Sequence, residues 1–255
     1  MKDLLLALAD AVQRAVDTMP GDPAEIVGRG ADGAPSRRID RIAEEAVLQM
    51  LDRRRAPLDV LSEEAGWVDR HGEAVLVLDP IDGTHNAIRG VPAFSVSMAI
   101  GRTHLSDLRE ALVRDLAQRA TYYAEKGRGA TLDGRAIHVR PFDPRDTLVS
   151  VYLGTNAAPE ASAIAAKARR VRNLGAASLD LCLVARGAAD MYFMRSAVRE
   201  AKLRVVDIAA GVLIVREAGG HVLDLKGTDL DMDLSPDART DIVAVGDLEA
   251  MELLR

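Results

Sequence analysis

Cysteine is nearly absent from this chain: Cys182 is the single one in 255 residues. One thiol cannot close an internal disulfide, which excludes a disulfide scaffold and predicts a reducing compartment. It sits in the apolar run LDLCLVA, where a buried structural thiol is expected rather than a nucleophile. Aromatic residues are only 3%, few for a protein that stacks on purine rings. Positive charge is not in excess, and a net charge of −6 speaks against a broad nucleic-acid surface. No apolar run approaches the ~20 residues that span a bilayer. There is no G-x-S-x-G elbow, so a serine hydrolase is not suggested. The five histidines (71, 85, 104, 138 and 221) are scattered without ligand spacing, which gives no zinc site.

What is present is a large apolar fraction, 48%, enough to fold one or two domains without metal or disulfide staples. The start, MKDLLLALADAVQRAVD, carries acids within its apolar pattern and no small-residue cleavage site. It reads as an amphipathic helix over residues 3–19 rather than a signal peptide, and a soluble cytoplasmic protein is expected. Residues 20–35 are dense in Gly, Pro and Asp and read as a loop. Ser36 has the chemistry of an N-cap for a helix over 37–54, with Ile39, Ile42, Ala46 and Met50 on one face. Strands are predicted at 58–64, 73–79 and 94–101, with a strand pair over 109–124 before the turn-rich EKGRGATLDG. The second half alternates strands near 147–154, 170–175, 189–194, 221–225 and 241–246 with helices over 160–170, 178–187, 205–218 and 247–255. Asp207 reads as the N-cap of the third of these helices, and Gly219–Gly220 as its stop. The order suggests an α+β or mixed layered fold with sheets between helix layers. A soft boundary near 140–147 separates an N-terminal half, 1–142, from a C-terminal half, 143–255, within one compact unit.

The chemistry concentrates in VLDPIDGTHNAIRG, residues 77–90. A buried strand ends there on two acids, Asp79 and Asp82. Further acids stand at other element ends: Glu63 and Glu64 after one strand, Asp207 at the head of a helix. Hard divalent cations such as Mg²⁺ take oxygen ligands, and element ends let carboxylates meet without crowding a core. Pro80 stiffens the turn, which can present the Ile81 carbonyl as another hard ligand. Gly83 lets an anion approach the backbone, and a helical turn starting at Thr84 would offer N–H groups to a phosphate. Acids, metal and phosphate in one pocket describe a metal-assisted phosphate ester hydrolase. Each piece also has a plain structural reading. Asp-Pro and Asp-Gly are ordinary turn signals, Asp207 can simply cap its helix, and Glu63–Glu64 can be a solvated loop.

Taken in order, LSEEAG, VLDPIDGTHN and VVDIAAGVLIVREAGG resemble the inositol monophosphatase superfamily of Mg²⁺-dependent phosphatases over nearly the whole chain. GRGADGAPSRRIDRIAE, THNAIRG and AKLRVVD are similar to its archaeal-type branch, often dual-specific for inositol monophosphate and fructose-1,6-bisphosphate. The resemblance implies an α+β fold, a layered αβαβα sandwich, usually a homodimer. It implies that Glu63, Asp79, Asp82, Asp207 and the Ile81 carbonyl hold two or three Mg²⁺ ions. Gly83 and Thr84 backbone groups would take the phosphate. Thr84, partnered by Asp40, would orient the attacking water together with Glu63, and Glu64 would stand behind them. The loop 28–38 would be mobile and help to hold a third metal. Gly175, Ala176 and Ser178 match the segment that lines the sugar or polyol site.

This sequence departs from the animal inositol enzymes where they carry a Glu that contacts the ring, for Met194 stands in that region. The cationic stretch that follows suggests that Arg195, Arg199 or Lys202 binds a second, non-reacting phosphate. The partner is thus expected to be a small phosphorylated sugar or polyol, with no nucleic acid and no membrane. Two alternatives belong to the same fold: a 3′-phosphatase of phosphoadenosine phosphate, and a regulatory binding protein. The string Gly28-x-Gly30-x-x-Gly33 also fits a dinucleotide fingerprint, but no convincing strand precedes it and Pro35 follows where the helix should run.

Overall fold

The computed structural model describes residues 1–31 and 33–255. Helix α1 (Lys2–Asp17) is followed by a ribbon of β1 (Ile26–Arg29) and β2 (Pro35–Arg37), then helix α2 (Arg38–Arg54). Strands β3 (Leu58–Ser62), β4 (Gly66–Val68) and β5 (Ala74–Asp82) lead to the short helix α3 (Thr84–Arg89). Strands β6 (Ser95–Gly101), β7 (Glu110–Asp115), β8 (Thr121–Glu125), β9 (Gly129–Leu132) and β10 (Arg135–Ile137) complete the first half. The second half runs β11 (Leu148–Val151), α4 (Pro159–Lys167), β12 (Arg170–Arg172), α5 (Ala177–Ala185) and β13 (Met191–Met194). It continues with β14 (Leu203–Arg204), α6 (Val205–Glu217), β15 (His221–Leu223), β16 (Arg239–Thr240) and β17 (Ile242–Val245), and closes on a 3₁₀ segment, Leu248–Leu254.

Two sheets organise these elements. The larger has the order β10-β9-β8-β7-β6-β5-β3-β4, and only β3 and β5 run parallel in it. The smaller has the order β12-β11-β13-β17-β15, parallel on one side and antiparallel on the other. Period-two alternation sorts the larger sheet's side chains. Leu76, Leu78, Met98 and Leu112 face α1 and α2, packing on Leu5, Leu8, Val47 and Leu51. Val75, Val77, Ala99, Ala111 and Ala124 face the other way, onto α5 and α6. Each fully buried Leu or Val contributes ~2 kcal/mol through the water it sheds. On the far side of the smaller sheet, Val149, Val151, Phe193 and Val243 pack on α4 and the 3₁₀ segment. The layers are therefore helix, sheet, helix, sheet, helix: the αβαβα sandwich, with α5 and α6 in the middle layer.

Several local expectations need correction. The stretch 20–35 is not all loop, since β1 and β2 pair as an antiparallel ribbon there. Gly28, Gly30 and Gly33 belong to that ribbon and its connection, not to the strand–loop–helix of a dinucleotide site. Within the loop 28–38 expected to be mobile, Asp32 lies outside the described residues. Ser36 does not cap α2. It is buried in β2, and Arg37 takes the N-cap position. The buried row of α2 is Ile39, Ala43, Val47 and Leu51, one position off the expected stripe. The inward face also carries Asp40 and Glu44, and two buried acids blur the apolar period. The turn-rich 125–134 contains β9, and α6 begins before Asp207 with Arg204 as its N-cap.

The middle layer is held close by small residues. At Gly211 of α6, an added Cβ would stand 2.7 Å from the Leu181 Cβ of α5. That atom is rooted at the backbone and cannot swing away. Gly211→Val is expected to lower stability by roughly 2–3 kcal/mol, as overpacked cores do. Urea unfolding would register it, and an unchanged midpoint would show the two helices to be less tightly locked.

Candidate active site

Asp79 and Asp82 are three apart, which in a regular strand would aim them at opposite faces. A bulge changes this. Asp79 pairs with Ser97 and Asp82 with Ser95, so Pro80 and Ile81 oppose the single residue Val96. Pro80 has no N–H to give the ladder, which suits it to a bulge. The Ile81 N–H instead donates to Asp79 Oδ1 at 3.1 Å. Strict alternation would put residue 81 on the face of Val75, Val77 and Asp79. The bulge sends Ile81 into the opposite cluster, with Leu76 and Leu78, and brings Asp82 round to Asp79.

The other acids arrive from helix starts and a strand end. Asp40 and Asp207 occupy the same place, the third position of α2 and α6, and each accepts the N–H of an N-cap arginine. Arg37 N donates to Asp40 Oδ2 at 3.3 Å, and Arg204 N to Asp207 Oδ2 at 2.7 Å. Helix N-termini favour negative charge there. Glu63 follows β3, and its N–H donates to the Leu78 carbonyl of β5 at 3.1 Å, which sets it beside the strand that carries Asp79. Glu44 of α2, buried, braces this turn from below by accepting the Ala65 N–H at 2.9 Å and the Ser62 hydroxyl. Glu44 was not among the expected residues. Its signal is its position four residues after Asp40, on the same helix face.

The structure thus brings Glu63, Asp79, Asp82 and Asp207 together from three distant segments. Asp79 sits well above the usual carboxylate range, first through burial and then through the charges of Glu63, Asp82 and Asp207. Burial also raises Asp82, against the opposing pull of hydrogen bonds from Ser178. Asp207 is raised by burial while Arg204 works to keep it ionised. Burial pushes Asp40 up to about 7, with Thr84 opposing and the charges of Glu63 and Glu64 adding to it. The Thr84 hydroxyl lies 2.8 Å from Asp40 Oδ1 and 3.0 Å from the Ile81 carbonyl. Gly83 has φ +87, and a Cβ on it would stand 2.9 Å from the Ala93 carbonyl, so glycine is required ahead of α3.

The substrate-side residues divide. Asn86 donates to the carbonyls of Ala93 and Leu174, both at 2.7 Å, and so ties α3 to the segment carrying Gly175 and Ala176. Those two residues line a cleft of about 210 Å³ with Asp82, Tyr152, Met194 and Asp207. Ser178 does not line it. It is fully buried, and both its N–H and its hydroxyl donate to Asp82 Oδ2, so it positions the acid instead. Arg199 and Lys202 line a neighbouring cleft of about 520 Å³ together with Arg204, Asp207 and Arg239. Arg195 is not in it. It pairs with Glu160 beside Lys167 and Leu253, because β13 has carried the chain past the cleft by then. Arg204, Arg239 and Asp180 were also absent from the expected set. Asp180, buried and raised to about 7, lies at the base of the smaller cleft.

The chemistry of the acids fits a hard divalent cation, since carboxylates and a backbone carbonyl are oxygen ligands. Among the described residues, no three acids, histidines or cysteines are already spaced to hold an ion. Instead the Arg204 guanidinium spans Glu63 and Asp207.

The inositol monophosphatase family model matches residues 3–252. The chain belongs to the inositol monophosphatase family. A fructose-1,6-bisphosphatase/inositol-1-monophosphatase of Methanothermobacter thermautotrophicus is 36% identical over 98% of this chain and 94% of its own. A bifunctional NADP phosphatase/NAD kinase of Methanococcus maripaludis is 31% identical over 97% of this chain, which spans 47% of that relative. The crystal structure of an inositol monophosphatase–fructose 1,6-bisphosphatase gives a TM-score of 0.85 at 28% identity, covering 99% of this chain and 97% of that one. Membership makes the protein a phosphatase of a family that uses divalent metal.

The raised acids fix a sign for pH. Each holds its proton more tightly folded than unfolded, where the reference value is 3.8. The metal-free fold should therefore lose stability as pH climbs from about 4 to about 7. Asp107, held down at about 2 by backbone N–H groups and Thr103, titrates below that window. In EDTA, the melting temperature is expected to fall across this range, and a divalent cation should offset the fall at its upper end. A metal-free melting temperature that rises over the same range would contradict this electrostatic picture.

Proposed function

We infer that the protein is a Mg²⁺-dependent phosphate monoesterase acting on fructose-1,6-bisphosphate, inositol monophosphate or both. The observation that carries the reading is the convergence of Glu63, Asp79, Asp82 and Asp207 beside the Thr84–Asp40 pair. Their oxygens and the Ile81 carbonyl would hold two or three Mg²⁺ ions. When bound, Mg²⁺ supplies a Lewis acid for the phosphoryl oxygens and lowers the pKa of water.

The chain's own groups do the rest. Asp40 accepts the Thr84 proton, which leaves a Thr84 lone pair to accept a hydrogen bond from water. Glu63 takes that water's other hydrogen bond, and the two aim its oxygen at phosphorus. Gly83, bare of side chain, admits a phosphoryl oxygen to the N–H groups that open α3. The water oxygen bonds to phosphorus and gives up one proton to solvent, the ester P–O bond breaks, and the alcohol leaves with a proton taken from solvent. Ser178 and the Ala177 N–H, by donating to Asp82, hold that acid in place throughout.

Arg199 and Arg239 line the larger cleft and suit a second phosphate, as on a bisphosphate, whereas Lys202, which also lines it, is paired with Asp241. Arg195, being paired with Glu160, drops out of that role. Helices α5 and α6 pack against both sheets, which supports taking the halves 1–142 and 143–255 as one working unit. A homodimer in the cytoplasm goes with this reading, and among the described residues no helix is long and apolar enough to cross a membrane. Tyr152 favours one second reading, a nucleotide phosphate, because it lines the smaller cleft beside Asp82. The relative named as an NADP phosphatase points the same way.

A panel of fructose-1,6-bisphosphate, inositol monophosphate, phosphoadenosine phosphate and NADP, assayed for phosphate release with and without Mg²⁺, ranks these readings. Asp82→Asn should cut turnover by more than about a hundredfold, above the usual effect of removing a group behind a metal ligand. Its circular dichroism should match the parent. Ordinary turnover by this variant at millimolar Mg²⁺ would overturn the assignment.

A further inference from the structure

Arg204 stands between two of the site's acids. Its backbone N–H is fixed to Asp207 Oδ2 at 2.7 Å. Its guanidinium donates to Asp207 Oδ1 at 3.0 Å and to Glu63 Oε1, across 141 residues of sequence. It is mostly out of water, its side chain 17% exposed, with Glu63 at 24% and Asp207 at 15%. The Asp79 charge acts on it as well. One positive charge therefore serves the group of acids that would otherwise face one another without an opposite charge between them.

The oxygens that it uses are the ones a metal needs. Glu63 Oε1 and Asp207 Oδ1 cannot donate their lone pairs fully to a divalent cation while a guanidinium holds them, and two cations in one pocket repel. We propose that Arg204 is a resident counter-ion that braces the metal-free site and must leave Glu63 and Asp207 for a divalent cation to bind, so that it sets the metal affinity. This rests on the reading of the acids as metal ligands. The exit is open. Arg204 lines the cleft of about 520 Å³, where Glu200 and Asp237 offer other carboxylates. Because the backbone of Arg204 stays fastened to Asp207, the movement needs only side-chain rotation. Helix α6 need not shift.

Such a device has two opposed effects. Without metal, it lowers the repulsion among the acids and stabilises the fold. With metal, the incoming ion must break a partly buried bridge from one guanidinium nitrogen to two carboxylates. Removing it should therefore weaken the metal-free protein and strengthen metal binding, whereas an arginine that merely shapes the site would weaken both.

The test is calorimetric titration of Mg²⁺ into the full-length chain, with melting curves in EDTA and in Mg²⁺. Arg204→Met keeps the apolar stem and removes the guanidinium and its charge. Its Mg²⁺ dissociation constant should fall about tenfold, its melting temperature in EDTA should drop, and its gain on adding Mg²⁺ should exceed the parent's. Arg204→Lys, which keeps the charge on a shorter side chain, should shift affinity the same way by a smaller factor. It decides the question if the Met variant does not fold without metal. Unchanged or weaker Mg²⁺ binding in the folded variants would overturn the proposal. Absence of Mg²⁺ binding by the parent chain would overturn the metal reading itself, and that failure appears before any variant is made.

Discussion

Like charges resist being buried together, and the architecture around Glu63, Asp79, Asp82 and Asp207 consists largely of means to hold them so. The bulge at Pro80–Ile81 turns two aspartates of one strand onto one face. The start of α5 grips Asp82 through Ala177 and Ser178, and the start of α6 grips Asp207. Glu44 steadies the turn that carries Glu63. Each is a local device with its own hydrogen bonds. Together they keep carboxylates in a place that desolvation and mutual repulsion disfavour, at a cost carried by the rest of the fold. A cation relieves that cost. In the protein by itself Arg204 does so in part, and this is why the binding of a metal and the stability of the fold are two views of one balance.

The scaffold can carry such a load because its layers are rigid where the acids are rooted. Asp79 and Asp82 end the interior strand β5, flanked by β3 and β6. Asp207 belongs to a helix that packs against β6 and β7 of the same sheet and, through Gly211, closely against α5, so little slack is left around α6. The two clefts beside the acids are edged differently. Tyr152, Gly175 and Met194 edge one cleft and Arg199, Lys202 and Arg239 the other, and much of that edge is connecting chain. Acids rooted in a strand and a helix, beside clefts edged partly by connecting chain, suit a phosphatase whose substrate class is set by the surroundings.

Which parts of this were legible in the sequence follows from how local each signal is. The run from Val77 to Asn86 announces a strand, a Pro-containing turn and a helix start within ten residues, which marks out its acids; that the strand continues through a bulge to Asp82 was not legible there. The layered fold was legible through the order of its elements and through resemblance. Asp207 was placed correctly as an acid but wrongly as a cap. The helix begins two residues before it, at Val205, and an aspartate serves a helix start as well from the third position as from the cap. Ser36 misled for the same reason, since a serine near a helix start is an N-cap only if the backbone turns there. Arg195 was the clearest miss. Sequence distance places it near Arg199, yet the chain turns after β13, and Glu160, from α4, claims it. Glu44, Ser178 and Arg204 act across 18, 96 and 141 residues, and no local pattern reveals such pairings.

The convergence of the acids on a metal is tested most directly by anomalous diffraction from crystals grown with Mn²⁺ in place of Mg²⁺. The account predicts peaks bounded by Glu63, Asp79, Asp82, Asp207 and the Ile81 carbonyl, with the Arg204 side chain turned away from Glu63. Peaks only at other places, with Arg204 still bridging Glu63 and Asp207, would contradict it.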